Sequence, residues 1–176
     1  MFETIGYLER GNKKQHLAYE AINSLRIIRN LSEYNPILCG TLPIGIDMED
    51  SDLDIIMKVF DPNKFEKKVK SLYGDKEKFL FKKSVIRNIN VSKANFFFQG
   101  FEFELFGQPQ YVKKQHAYLH MVIEDFLMTN HPSIKEKVIL LKRKGYKTEP
   151  AFCEVLGLEG DPYEALINFG KNNKII

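Results

Sequence analysis

"CGTLPIGIDMEDSDLDIIMKVF", Cys39 to Phe60, sets Asp47, Glu49, Asp50, Asp52 and Asp54 between two apolar runs in a chain whose formal net charge is +3. Its closing "LDIIMKVF" reads as a buried strand, and the "ILC" of Ile37 to Cys39 as a shorter one before it. Strand side chains alternate, so Asp52 and Asp54 project from one face, with Cβ atoms about 6.6 Å apart along the chain, while Leu53 points to the core. Two carboxylates that close repel by roughly 1–4 kcal/mol, depending on how well water screens them. A divalent cation relieves the repulsion, and Mg²⁺ in particular takes carboxylate oxygens while leaving part of its shell for substrate phosphates. The Gly40-Thr41 turn just upstream offers backbone N–H groups and a hydroxyl to an anion. On spacing alone this is a metal-competent acidic face, with Asp47, Glu49 and Asp50 as solvated turn residues.

The flanks supply the elements that hold it. From about Lys14 to Tyr34, Leu17, Ala18, Ala21, Ile22, Leu25, Ile28 and Leu31 recur at three- and four-residue steps, which predicts one amphipathic helix. Asp61 as N-cap and Pro62 at the first helical position open a short helix that closes near Gly74. "KFLFKKSVIRNINVS" and "ANFFFQGFEFELFGQP" are rich in β-formers, with Gln99-Gly100 as a hairpin turn. In "FEFELF", Phe101, Phe103 and Leu105 share one face and Glu102, Glu104 and Phe106 the other. After Pro109, Pro and Gly signals divide the chain into four helices. The expectation is a palm-like α/β region over 1–110 and a helical lobe over 111–176 packed on it as a single compact unit.

Length and composition bound the answer. A chain of 176 residues suits one core and not two independent domains. The 26 basic residues exceed the 23 acidic ones too little to argue for nucleic acid by charge alone. Two cysteines, Cys39 and Cys153, are too far apart in sequence for a zinc or redox motif and fit a reducing cytoplasm. No window approaches the roughly 20 apolar residues of a membrane span, and the N-terminus lacks an apolar signal core, so a cytoplasmic protein is expected.

The order helix, short strand, Gly40-Thr41, Asp52-x-Asp54 opening a second strand, and a later acidic strand resembles the nucleotidyltransferase superfamily, with its polymerase-beta-like palm. Segments like "FELFGQP" and "AYLHM" are similar to those of an uncharacterised bacterial subfamily of that fold. The resemblance covers about residues 15–107. It implies an α+β fold, a nucleotidyltransferase-like mixed sheet flanked by helices with a C-terminal helical lobe. It also implies transfer of a nucleoside monophosphate from an NTP to a hydroxyl-bearing acceptor. Asp52, Asp54 and a third acid, Glu104 in preference to Glu102, would hold two Mg²⁺ ions, with Mn²⁺ as an alternative, and Gly40-Thr41 would grip the outer phosphates. Thr41 stands where Ser is usual in that family, and Glu where Asp is usual for the third acid. The alternative is an inactive descendant that binds nucleotide or a partner protein.

Four further features carry weaker chemical signals. His116, His120 and Glu124 share one helix face, but without a Glu between the histidines they lack the metalloprotease pattern. His120 is a candidate substrate contact or, equally, a packed helix-interface residue. Arg87 is a candidate phosphate contact. Lys142, Arg143, Lys144 and Lys147 gather at a helix end, where carbonyls favour cations, and offer charge to a triphosphate or to RNA. The Phe96–Phe98 run is sheet core.

Overall fold

The computed structural model describes residues 2–176. Two compact units emerge: the chain through Cys39 together with Ser51–Val112, and Gly40–Asp50 together with Lys113–Ile176.

The first unit is an α+β palm. Its helices are α1 (Gly6–Glu9), α2 (Lys13–Ser24), α3 (Ile27–Asn30) and α4 (Pro62–Tyr73). Its strands are β1 (Ile37–Cys39), β2 (Leu53–Lys58), β3 (Glu77–Ile86), β4 (Ile89–Phe98) and β5 (Phe101–Gln108), in the order β1-β2-β5-β4-β3. Only β2 and β5 run parallel; the other neighbours are antiparallel. The parallel pair lets two strands distant in sequence lie side by side with their residues in step.

Alternation fixes which side of the sheet is core. Leu53, Ile55 and Met57 of β2, Phe103 and Leu105 of β5, and Ala94 and Phe96 of β4 are wholly buried, as are Phe65 and Val69 of α4. The rings of Tyr73, Phe96 and Phe103 stack at centroid distances of 5.4 and 5.1 Å, so the expected phenylalanine core is built around helix α4. Helix α4 forms where expected: the Asp61 carboxylate accepts from the backbone N–H groups of Asn63 and Lys64, each at 3.0 Å, and Pro62 opens the first turn. Gly107 allows close packing, because a Cβ there would come within 2.5 Å of Val59 Cγ2.

One local expectation is corrected. The single helix over 14–34 is broken after Leu25, where Arg26 adopts left-handed backbone (φ 52°); α2, α3 and a 3₁₀ turn at Ser32–Tyr34 replace it. Leu17, counted on the apolar face, is exposed. Within the β-rich stretch before Ala94, Arg87 (φ 50°) and Asn88 (φ 62°) form a two-residue turn joining β3 to β4. The hairpin turn at Gln99-Gly100 (φ 46° and 83°) stands where the sequence predicts it.

The second unit holds the four C-terminal helices, α5 (His116–Asn130), α6 (Pro132–Arg143), α7 (Thr148–Leu156) and α8 (Pro162–Asn172). Met121, Ile123, Val138, Ala151, Phe152, Leu166 and Ile167 supply its interior. The Gly40–Asp50 segment belongs to this unit, with Gly40 (φ 81°) and Gly45 (φ 68°) reversing the chain and Ile46 N–H donating to the Thr41 carbonyl at 3.1 Å. No helix among the described residues is long and apolar enough to cross a membrane.

Candidate functional site

In the parallel ladder Asp54 lies directly beside Glu104, and across the antiparallel ladder its partner is Cys39. Asp52 precedes β2 by one residue. Each of Asp52, Asp54 and Glu104 offers one carboxylate oxygen, and the three oxygens lie within 4.8 Å of one another. Among the described residues no other three His, Cys, Asp or Glu side chains are so gathered. All three are partly exposed, open enough to meet a ligand and closed enough that water screens them incompletely. A set of hard anionic oxygens suits Mg²⁺ or Mn²⁺ and not a thiolate-seeking metal.

Alternation could not separate Glu102 from Glu104, since both share a face; their neighbours do. Glu102 Oε1 accepts from Asn95 Nδ2 at 3.2 Å, whereas Glu104 joins the aspartates. One residue escaped the sequence reading. Lys93 of β4 reaches Glu104 Oε2 with its Nζ at 2.7 Å. Burial pulls the Lys93 ammonium down, but the bond to Glu104 and the fields of Glu104, Asp52 and Asp54 outweigh it and hold its pKa above the ordinary value. The signal was available: Lys93 and Asn95 alternate on β4 as Glu102 and Glu104 do on β5. Beside the acids, burial and then the charge of Asp54 push the Cys39 thiol well up, so it stays protonated.

Arg87, another expected site residue, stands apart from the triad along the sheet. Arg87 occupies the exposed β3–β4 turn. It lies eight residues along β4 from Asn95, the Cα partner of Glu104, or roughly 26 Å at strand rise. Gly40 and Thr41 belong to the second unit's turn.

His120 is only 4% exposed. Its Nε2 lies 2.8 Å from the Tyr163 carbonyl and its Nδ1 3.4 Å from Glu149 Oε1, so the ring ties α5 to α7 and α8, as a packed helix-interface residue does. One turn further on, Glu124 is buried with an Oε1 that meets no hydrogen-bonding partner among the described residues. Burial, then the Glu149 charge, raise its pKa well above the carboxylate range, against the opposing field of Lys142. Burial alone would raise Glu149 too; its bond to His120, a backbone bond and the charges of His120 and Lys142 bring it below the ordinary value. The proton therefore stays on Glu124. Lys142 spends its ammonium here, donating to Thr148 Oγ1 at 3.1 Å, and burial lowers its pKa. It is part of an internal network and not of a solvated cluster.

Comparison with known proteins sets this geometry in context. The chain is similar to the structure of a cytoplasmic RNA terminal U-transferase, at 18% identity and a TM-score of 0.50 over 74% of this chain and 39% of that one. It is similar to that of Cid1, whose RNA terminal uridylyl transferase activity that structure addresses, at 15% identity and a TM-score of 0.55 over 74% and 41%. The GLD-2/RNP-8 complex matches at 14% identity and a TM-score of 0.52 over 94% and 64%. The chain thus spans about two fifths of the length of the first two. No curated protein matches by sequence. The likenesses establish a nucleotidyltransferase fold. A family model covers residues 20–169, and the chain belongs to that family, DUF4269, described as a domain of unknown function.

Proposed function

We propose that the protein is a metal-dependent nucleotidyltransferase that moves a nucleoside monophosphate from an NTP to a hydroxyl-bearing acceptor. The observation that carries the reading is the meeting of Asp52, just ahead of β2, with Asp54 and Glu104 on the neighbouring parallel strands β2 and β5 of a nucleotidyltransferase fold. These three side chains would hold Mg²⁺, or Mn²⁺ in its place. Bound there, the ions supply positive charge to the reacting phosphate and its leaving group and lower the pKa of the acceptor hydroxyl.

The chain's own part is positional. The ladder pairing of Asp54 with Glu104 fixes two of the donors through backbone hydrogen bonds, so the site needs little reordering as charge develops. In the reaction a bond forms between the acceptor oxygen and the α-phosphorus, the bond to the β-phosphate oxygen breaks, and pyrophosphate leaves. The hydroxyl proton passes to a base, for which Glu104 is the candidate on this face. The resemblance assigns the outer phosphates to Gly40 and Thr41. The terminal uridylyl transferases among the structural neighbours make an RNA end the first acceptor to test, and UTP the first nucleotide.

One observation favours the second reading, an inactive nucleotide-binding or partner-binding protein: the third acid is already occupied by Lys93. The two separate by incubating the full chain with each labelled NTP, Mg²⁺, and either an RNA oligonucleotide or cell extract. The active reading expects labelled product that disappears with Asp54→Asn. It is abandoned if no NTP labels anything, or if Asp54→Asn labels as well as the unaltered protein.

A further inference from the structure

The acidic face contains a cation of its own. Lys93 lies diagonally across the β4–β5 ladder from Glu104: its Cα partner is Phe106, two residues on. Strand β4 thus places a donor over each acid of β5, the ammonium of Lys93 on Glu104 and the amide of Asn95 on Glu102. The two contacts differ in kind. An amide neutralises nothing, whereas an ammonium cancels one of the three charges that the triad concentrates within 4.8 Å. Three carboxylates and one ammonium sum to −2, the charge that a single divalent ion balances. The Lys93 side chain keeps 40% of its exposure against 17% for Glu104, so the lysine has room to swing away and the glutamate little.

We propose that Lys93 is an exchangeable counter-ion of the metal face: it holds Glu104 until a divalent ion takes that carboxylate, and the freed ammonium then meets the polyphosphate arriving with the ion. A bare ion must displace Lys93 and leaves it unpaired. An ion carried by a polyphosphate brings the anion that pairs it again. Lys93 therefore weakens binding of the free metal and strengthens binding of the metal–polyphosphate complex, which favours loading the site with both together. This inference rests on the metal-binding reading of Asp52, Asp54 and Glu104.

The test is binding, not turnover, on the full chain. Free Mn²⁺ is followed by its electron paramagnetic resonance signal, and Mn²⁺–tripolyphosphate, which requires no choice of base, by calorimetry. Lys93→Met removes the charge and keeps most of the stem; Lys93→Gln is a second neutral variant should the first fold poorly, and Lys93→Arg restores the charge. Both neutral variants are expected to bind Mn²⁺ about tenfold more tightly, or ~1.4 kcal/mol, and Mn²⁺–tripolyphosphate about tenfold more weakly. Lys93→Arg stays near the unaltered protein on both counts. Unchanged Mn²⁺ affinity in the neutral variants, or a shift of both ligands in the same direction, overturns the exchange while leaving the metal site standing. Absence of Mn²⁺ binding in every protein, Lys93→Met included, brings down the metal-binding reading and this inference with it.

Discussion

At the scale of single residues, environment separates acids that look alike in the sequence. Glu104 and Glu124 are both glutamates one turn or one strand from other acids, yet Glu104 is partly exposed and held by Lys93, while Glu124 is buried and holds its proton. The sign of the Glu124 effect on stability follows from its raised pKa. Between the ordinary value of 4.5 and the higher folded value the folded state binds the extra proton, so stability falls as pH rises through that window. Glu149 acts in the other direction and below it, since its depressed pKa costs stability only as pH falls under 4.5. Glu124→Gln keeps the shape and removes the titration, so it is expected to leave stability near pH 4.5 little changed. At pH 8 it should be more stable than the unaltered protein, because the cost of holding a titratable carboxyl in that interior is gone. Denaturant melts at the two pH values decide it; an equal effect at both would show that Glu124 is not held neutral by the fold. Helical periodicity puts His116, His120 and Glu124 on one face and leaves a packed helix interface open as one reading of His120, but it does not reveal that α7 and α8 cover that residue.

At the scale of elements, what was legible is what local chemistry determines. Asp61-Pro62 announces α4 because the cap and the missing N–H act within one turn. Gln99-Gly100 announces the β4–β5 hairpin because glycine accepts positive φ. The Arg87-Asn88 turn was hidden because arginine rarely sits in left-handed backbone, and the β-formers run on through it. The break at Arg26 was hidden for the same reason, with Leu25 and Ile28 continuing the helical spacing across it. Close approach of an element is testable at Gly107, where β5 meets Val59. Gly107→Ala is expected to lose about 1–3 kcal/mol of stability through overpacking. Adding Val59→Ala should recover part of that loss in urea melts, since it removes the methyl group that the new Cβ would strike. Additive losses in the double variant would mean that the glycine is needed for another reason.

At the scale of the whole molecule, the fold's contribution is to join residues that sequence separates by fifty positions. The Asp-x-Asp spacing was readable because strand alternation is strictly local. Alternation did not give the partner of Asp54, for which only the resemblance preferred Glu104, because which glutamate stands beside it depends on the register of a parallel pair, and neither strand contains that information alone. The gathering of Gly40–Asp50 with the C-terminal helices is of the same kind: nothing in its composition says which unit receives its buried Leu42, Ile44 and Ile46. The central claim is that sheet register, and not acidity in general, gathers the three acids proposed to hold the metal. Mn²⁺ binding to the full chain and to Asp52→Asn, Asp54→Asn, Glu104→Gln and Glu102→Gln tests it directly. The account predicts at least tenfold weaker binding in the first three and little change in Glu102→Gln. Equal loss in all four, or undiminished binding in Asp54→Asn, would contradict it.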